Sequence, residues 1–495
     1  MSFFLIYTIL LGIAFLLYHY GIVLSTIPVE YIGERTFKSE TAMNYTKQHP
    51  LITGTLILTL TGLISRIIGF FYRIYLSRLF GEEGMGIYQL LNPVLALSFS
   101  LTAAAYQTAI SKLVAEQTAR RKHASYRPML VGLTITLPLS LLCTGIVYTL
   151  ADFIGDQLLK EPRTISMLRI LAFSIPFAAI HSCINGYFYG SKKAGVPAAT
   201  QLFEQLVRVG CVFFLTNSTH AAGKTPTINV AVTGLTVGEF ASMLLAIIAI
   251  YFHYAKDHKP SVSTKLSQTL HSSPDKLLPL YQGIFSMALP LTANRIVLNI
   301  LQSIESVSIP SSLKLYGYDT ATALSVYGVL TGMAIPLIFF PNALTSSVAV
   351  LLLPIISENH ALGNTHAVKQ ATLRTVKYCF TLGFICMAGF VLLGNRMGTA
   401  MFDSALAGHF ITTLGFICPF IYLDTTLSSI LQGLGMAGRI FAMNVVCLLI
   451  RLGFVFLAVP KVGITGYLWG MLASQLILSS LYLLCLYRFI KKQPK

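Results

Sequence analysis

Apolar residues run almost unbroken for 20 or more positions at a time along this chain, parted by short polar stretches rich in Gly, Pro and charge. A helix needs about 20 such residues to cross a bilayer. The pattern predicts a leading segment, Ser2–Leu24, and then twelve spans. These lie near 51–79, 87–111, 129–151, 165–190, 197–217, 229–254, 281–308, 324–353, 367–394, 409–433, 439–459 and 464–488. The runs are continuous and show no alternation of period two, so a β-barrel is excluded and an all-α polytopic membrane protein is expected. Ser2–Leu24 lacks a basic start and a small-residue cleavage site, so it reads poorly as a signal peptide and leaves two readings, an extra helix or an upstream extension. Whether residues 1–42 belong to the mature chain stays open.

A repeat emerges when the spans are compared. Ala172-Phe-Ser-Ile-Pro-Phe matches Gly415-Phe-Ile-Cys-Pro-Phe at an offset of 243, which also carries Gly190 onto Gly433, Arg208 onto Arg451 and Gly210 onto Gly453. After a shorter loop, Thr233-Gly234 and Gly238 fall on Thr465-Gly466 and Gly470, and the stretch 111–116 resembles 353–358. The expected organisation is an N-terminal segment and linker (1–49), a six-helix bundle (50–254), a polar cytoplasmic linker (255–280), and a second six-helix bundle with a basic tail (281–495). Six is even, so both bundles insert the same way up, related by a pseudo-two-fold axis along the membrane normal. Two such halves can rock about a central cavity, which points to a transporter.

Composition and charge refine this picture. The 495 residues are 55% hydrophobic and 11% charged, far from the roughly 25% charge of soluble domains, so soluble enzymes are excluded. The net charge of +17 is mostly topological. Loops after even-numbered spans, with the C-terminus, hold 19 Lys/Arg against eight on the other side, which places both core termini in the cytoplasm and leaves no case for nucleic acid. The localisation expected is a bacterial cytoplasmic membrane. The eight cysteines all sit in apolar runs without ligand spacing and read as small core residues.

Charges inside spans are costly and usually face a cavity or a partner. Here they are Arg66, Arg73, Arg208, Arg295 and Arg451 against Glu204, Glu239, Glu305 and Asp424. All five cations are arginine, whose planar guanidinium suits phosphate. Thr59, Gly62, Arg66, Gly69 and Arg73 recur every three or four residues, drawing one small-or-charged stripe on the first span. It reads as cavity lining or as tight packing with snorkelling arginines. Arg295, Asn299, Gln302 and Ser306 repeat the idea on the seventh span beside Glu305, either for substrate or as a polar network between the halves. Arg208 can pair with Glu204 four residues earlier, whereas Arg451 has Cys447 there and no local acid. Asp424 falls where His181 stands in the first half. Glu305, Asp424 and Glu204 are the candidates for ion coupling. Prolines 93, 176, 290, 336, 341 and 419 interrupt spans and offer hinges. There is no HExxH, Walker loop or Gly-x-Ser-x-Gly, so no catalytic role and no cofactor is expected, and transport would draw on Na+, H+ or membrane potential.

The stretch Ser65-Arg-Ile-Ile-Gly-Phe-Phe-Tyr-Arg, running on to Gln89, closely resembles the opening of the stage V sporulation protein B family. So do Ala109-Ile-Ser-Lys-Leu-Val-Ala-Glu and the run from Gly186 through Glu204-Gln-Leu-Val-Arg. That family lies in the multidrug/oligosaccharidyl-lipid/polysaccharide flippase superfamily, with the bacterial lipid II flippase. The resemblance implies a monomeric transporter of a lipid-linked saccharide with a pyrophosphate headgroup, its lipid tail left in the bilayer. It also implies that Ser65, Arg66, Gly69 and Phe70 match a Ser-Arg-x-x-Gly-Phe motif of the lipid II flippase, in which a second arginine falls at the place of Tyr72, one before Arg73. A multidrug antiporter on the same fold, a membrane enzyme acting on the lipid carrier, and a non-transporting protein of wall or spore assembly are the competing readings.

Overall fold

The computed structural model describes residues 50–121, 125–257 and 274–492. The leading segment Ser2–Leu24 and most of the linker 255–280 lie outside them. The chain divides into Met1–Leu56 and Ile57–Lys495, and the second unit carries both helical bundles. The first six helices are α1 (Pro50–Gln89), α2 (Asn92–Phe99, a π-helical turn Ser100–Ala104, then Ala105–Arg121), α3 (Arg127–Thr149), α4 (Thr164–Gly190), α5 (Gly195–Ala221) and α6 (Asn229–Asp257). The next six are α7 (Pro274–Tyr316), α8 (Thr320–Phe339, resuming as Asn342–Ala361), α9 (Thr365–Phe402), α10 (Ala405–Gly433), α11 (Ala437–Leu457) and α12 (Ile464–Lys492). Eleven helices among the described residues, in α2 to α12, are long and apolar enough to span a bilayer. α1 carries Arg66, Arg73 and Arg78 and is not among them.

The two bundles repeat one another in detail. Thr136 of α3 hydrogen-bonds Cys183 of α4 at 3.2 Å, and Cys379 of α9 bonds Thr426 of α10 at 3.3 Å. Adding 243 to the first pair gives the second with the two residue types exchanged. Gly190 lies against the Ser111 carbonyl and Val114, as Gly433 lies against the Leu353 carbonyl and Ile356. Small residues are needed there because the helices approach too closely for a Cβ. The matched hexapeptides also behave alike. α4 breaks at Phe173 and α10 passes through a 3₁₀ turn at Gly415–Ile417, in each case just before a proline (Pro176, Pro419) that lacks an N–H for the helical ladder.

The eighth span is a correction in detail. The sequence predicts one helix over 324–353; the structure has a π-helical turn at Val329–Ala334 and a stop at Phe340–Pro341. Pro336 and Pro341 each remove a backbone donor, so the segment cannot continue as one regular rod. α7 is the element shared by both bundles. It packs on α11 of its own half and on α2 and α3 of the first, with the Tyr281 hydroxyl 2.9 Å from Thr134 of α3.

Candidate functional site

The Gly69–Arg73 part of the α1 stripe lies beside α5 of the first bundle. Gly69 meets the Gln205 amide of α5 at 3.2 Å from a would-be Cβ, and Arg73 lies within electrostatic reach of Arg208 on α5 and Tyr88. Further along, Tyr75 packs on Phe213 of α5, while Phe70 stacks at 5.0 Å on Phe340 at the break of α8. The stripe therefore runs beside the polar face of α5 that carries Gln201, Glu204, Gln205 and Arg208. Arg66 and Arg73 are both exposed and have no hydrogen-bond or ion-pair partner among the described residues. Guanidinium groups without a protein partner can receive an anion without first losing one.

The remaining arginines differ. Arg208 pairs with Glu204, as its spacing predicts, and a second carboxylate, Glu239 of α6, stands 4.0 Å away. Glu239 also bonds His181 of α4 at 2.9 Å, and Asn185 links His181 to Thr200. Ligand atoms of His181, Glu204 and Glu239 lie within 4.8 Å of one another, close enough for a metal ion. Arg208 shares this cluster, so its guanidinium offsets part of the charge of the two carboxylates.

In the second half, Arg451 of α11 finds its acid on another helix. Glu305 of α7 accepts from Arg451 at 2.7 Å and from the Tyr467 hydroxyl of α12 at 2.9 Å. Asp424 occupies the His181 position and reaches α12, as His181 reaches α6, accepting from Ser479 at 2.6 Å and from Gln475. It has no cation partner among the described residues. Arg295 is exposed on α7 and has no partner among the described residues, while Asn299, one turn on, donates to the Ala96 carbonyl at 3.2 Å and to Ser100 at 2.5 Å. Of the sequence-predicted residues, the structure thus brings together Arg73, Arg208 and Glu204, and separately Arg451 and Glu305. It does not join the two groups.

Sequence reasoning missed a latch between the halves at the α1–α2 end. The Gly81 backbone, at φ 69°, is a conformation that glycine adopts without a Cβ penalty, and it bends α1 so that its last turns meet the second bundle. A Cβ on Gly328 of α8 would fall 2.2 Å from the Glu82 carbonyl, so the backbones touch. Arg78 donates to the carbonyls of Ala400 and Met401 at the end of α9, at 2.5 and 2.8 Å, and Ser404 donates to Glu82 at 2.5 Å. These carbonyls are the unsatisfied C-terminal acceptors of α9. Nearby, Arg163 bridges Glu161 and Glu83, and the Glu161 carboxylate raises its guanidinium above the ordinary range. The Gly84-Met-Gly86 triplet was the available sequence signal, but its partner lies some 240 positions away.

Comparison with known proteins adds four findings. Residues 51–360 match the family described as polysaccharide biosynthesis protein. Stage V sporulation protein B of Bacillus subtilis (strain 168) is 29% identical over 434 residues, covering 87% of this chain and 82% of the relative. Lipid II flippase MurJ of the same organism is 23% identical over 401 residues, covering 78% and 73%. In structure, the chain is similar to lipid II flippase MurJ in an inward closed conformation, with a TM-score of 0.65, 15% identity and 87% of each chain covered. That last likeness concerns the fold alone.

Proposed function

The chain belongs to the polysaccharide biosynthesis protein family, and from that premise we propose that it flips an undecaprenyl-pyrophosphate-linked saccharide across the cytoplasmic membrane. The observation that carries this reading is the pair of unpaired guanidiniums, Arg66 and Arg73, on an α1 stripe turned towards α5. In a low-dielectric bundle such a stripe favours a multiply charged anion, and bidentate guanidinium–phosphate bonds fix its orientation. The saccharide would pass between the halves while the lipid tail stays in the bilayer. Similarity to a protein named lipid II flippase supports that class of cargo.

The latch at the α1–α2 end is assigned to the outer face, because the basic loops lie at the opposite end. This state is then closed on the outside, and alternating access requires Arg78, Glu82 and Ser404 to part. For coupling, Glu204 and Glu305 are already committed to arginines, which leaves Asp424, held by neutral donors, as the acid able to take up a proton.

The test is depletion of the protein in its host, followed by measurement of which lipid-linked intermediate accumulates on the inner leaflet. Accumulation that wild type reverses and Arg66→Ala does not, at equal membrane abundance, is expected. A fully active Arg66→Ala variant would remove the α1 stripe from the transport path.

A further inference from the structure

A second cationic site lies on the other seam between the bundles, away from the α1 stripe. α2 and α7 run antiparallel and touch at two levels. At one, Asn299 is bound to the Ala96 carbonyl and Ser100, where the π-helical turn Ser100–Ala104 interrupts the regular ladder of α2. At the other, Leu113 lies 3.4 Å from a would-be Cβ on Gly283. Between these levels is a cavity of about 480 Å³, whose polar wall is Gln107, Thr108, Ser111 and Lys112 of α2, Tyr189 of α4 and Arg295 of α7. π-turns inside helices are often found at functional sites, and this volume falls within the ~300–1,000 Å³ usual for small-molecule sites.

We infer that this α2–α7 cleft holds the phosphate group of a membrane lipid, with Arg295 and Lys112 as its charged contacts. Two cations, an amide and hydroxyls line it, and no carboxylate does. The nearest competing acid, Glu116, stands 4.0 Å from Lys112 with both side chains about half exposed, a pairing too weak to neutralise the site. Glu305, the buried acid of α7, is taken up by Arg451. Arg295 has no partner among the described residues, and its neighbour Asn299 is anchored, which holds that turn of α7 against α2. Arginine offers paired donors to phosphate and lysine a point charge. A lipid rather than a free anion fits because Phe99 beside the cavity, and Leu291 one turn before Arg295 on α7, are exposed hydrophobic residues on membrane helices. Basic pockets between transmembrane helices on the cytoplasmic side are a recurrent way to hold such headgroups, and Lys112 opens the basic α2–α3 end. The phosphate has two possible sources, a bilayer phospholipid or the pyrophosphate of the saccharide carrier.

The inference does not depend on what the protein transports. It is tested by native mass spectrometry of the full-length protein titrated with phosphatidylglycerol, with undecaprenyl pyrophosphate and with uncharged diacylglycerol. Wild type should bind at least one phosphate lipid about tenfold more tightly than diacylglycerol, and the Arg295→Gln/Lys112→Gln double variant should lose that preference. Arg295→Lys should keep most of it, which separates loss of charge from loss of fold. Loss confined to phosphatidylglycerol assigns the site to bilayer phospholipid; loss for undecaprenyl pyrophosphate assigns it to the carrier class. A monodisperse double variant that binds both lipids as wild type does, or a wild type with no preference over diacylglycerol, overturns it. Complementation by Arg66→Ala reports on transport alone, so this inference and the transport reading can fail separately.

Discussion

The two halves carry an arginine at the same place in the repeat and use it differently. In the first half, Arg208 is neutralised within its own bundle by Glu204 and Glu239, so α1 keeps its guanidiniums free. In the second, the acid of the pair sits on α7, the counterpart of α1, and Arg451 binds α7 to its bundle through Glu305 and Tyr467. Duplication supplied one scaffold. The position of a single carboxylate then decided which first helix of a half is tied and which is available. In this arrangement the first half leaves guanidiniums on α1 without a partner among the described residues, and the second holds α7 in place.

The largest effect should come from breaking the second-half tie. Glu305→Gln leaves Arg451 without an acid in a buried setting, which costs about 3–5 kcal/mol, seen as a large drop in thermal unfolding temperature of the purified protein. The double variant Glu305→Gln/Arg451→Met should recover most of it, since no uncompensated charge remains. An unchanged unfolding temperature in the single variant would end the claim that this pair is structural.

Glu204→Gln should cost less, about 1–2 kcal/mol, because Glu239 stays 4.0 Å from Arg208. Equal losses for Glu204→Gln and Glu305→Gln would erase the difference between the halves. At the latch, Gly328→Val puts methyl groups where the Glu82 and Gly86 backbones lie. Spin-label distances across the α1–α8 contact should lengthen, and transport should fall sharply while insertion continues.

Asp424→Asn tests coupling. The Asn carbonyl can still accept from Ser479 or Gln475, so unfolding temperature should change little while the response of transport to a proton gradient is lost. A gradient response equal to wild type would leave Asp424 as a packing residue. The smallest effect expected is Thr136→Val, which removes one hydroxyl–thiol hydrogen bond worth about 1 kcal/mol or less. Thr426→Val also removes the hydroxyl's hydrogen bond to the Leu423 carbonyl, so it should cost somewhat more, and a smaller loss than for Thr136→Val would contradict that reading.

By itself, the amino-acid sequence determined the membrane class, the helical spans and the repeat, because these rest on local apolar runs and on chain similarity at a fixed offset. It also determined the α1 stripe and the Glu204–Arg208 pair, whose partners are neighbours on one helix face. Tertiary structure decided the rest. Glu305 meets Arg451 across 146 positions, Arg78 reaches Ala400 across 322, and Arg295 and Lys112 line one cavity from opposite sides of a seam between halves. An apolar pattern says which residues avoid water, but a charge pairs with whatever the fold brings within a few ångströms, and helix packing alone fixes that.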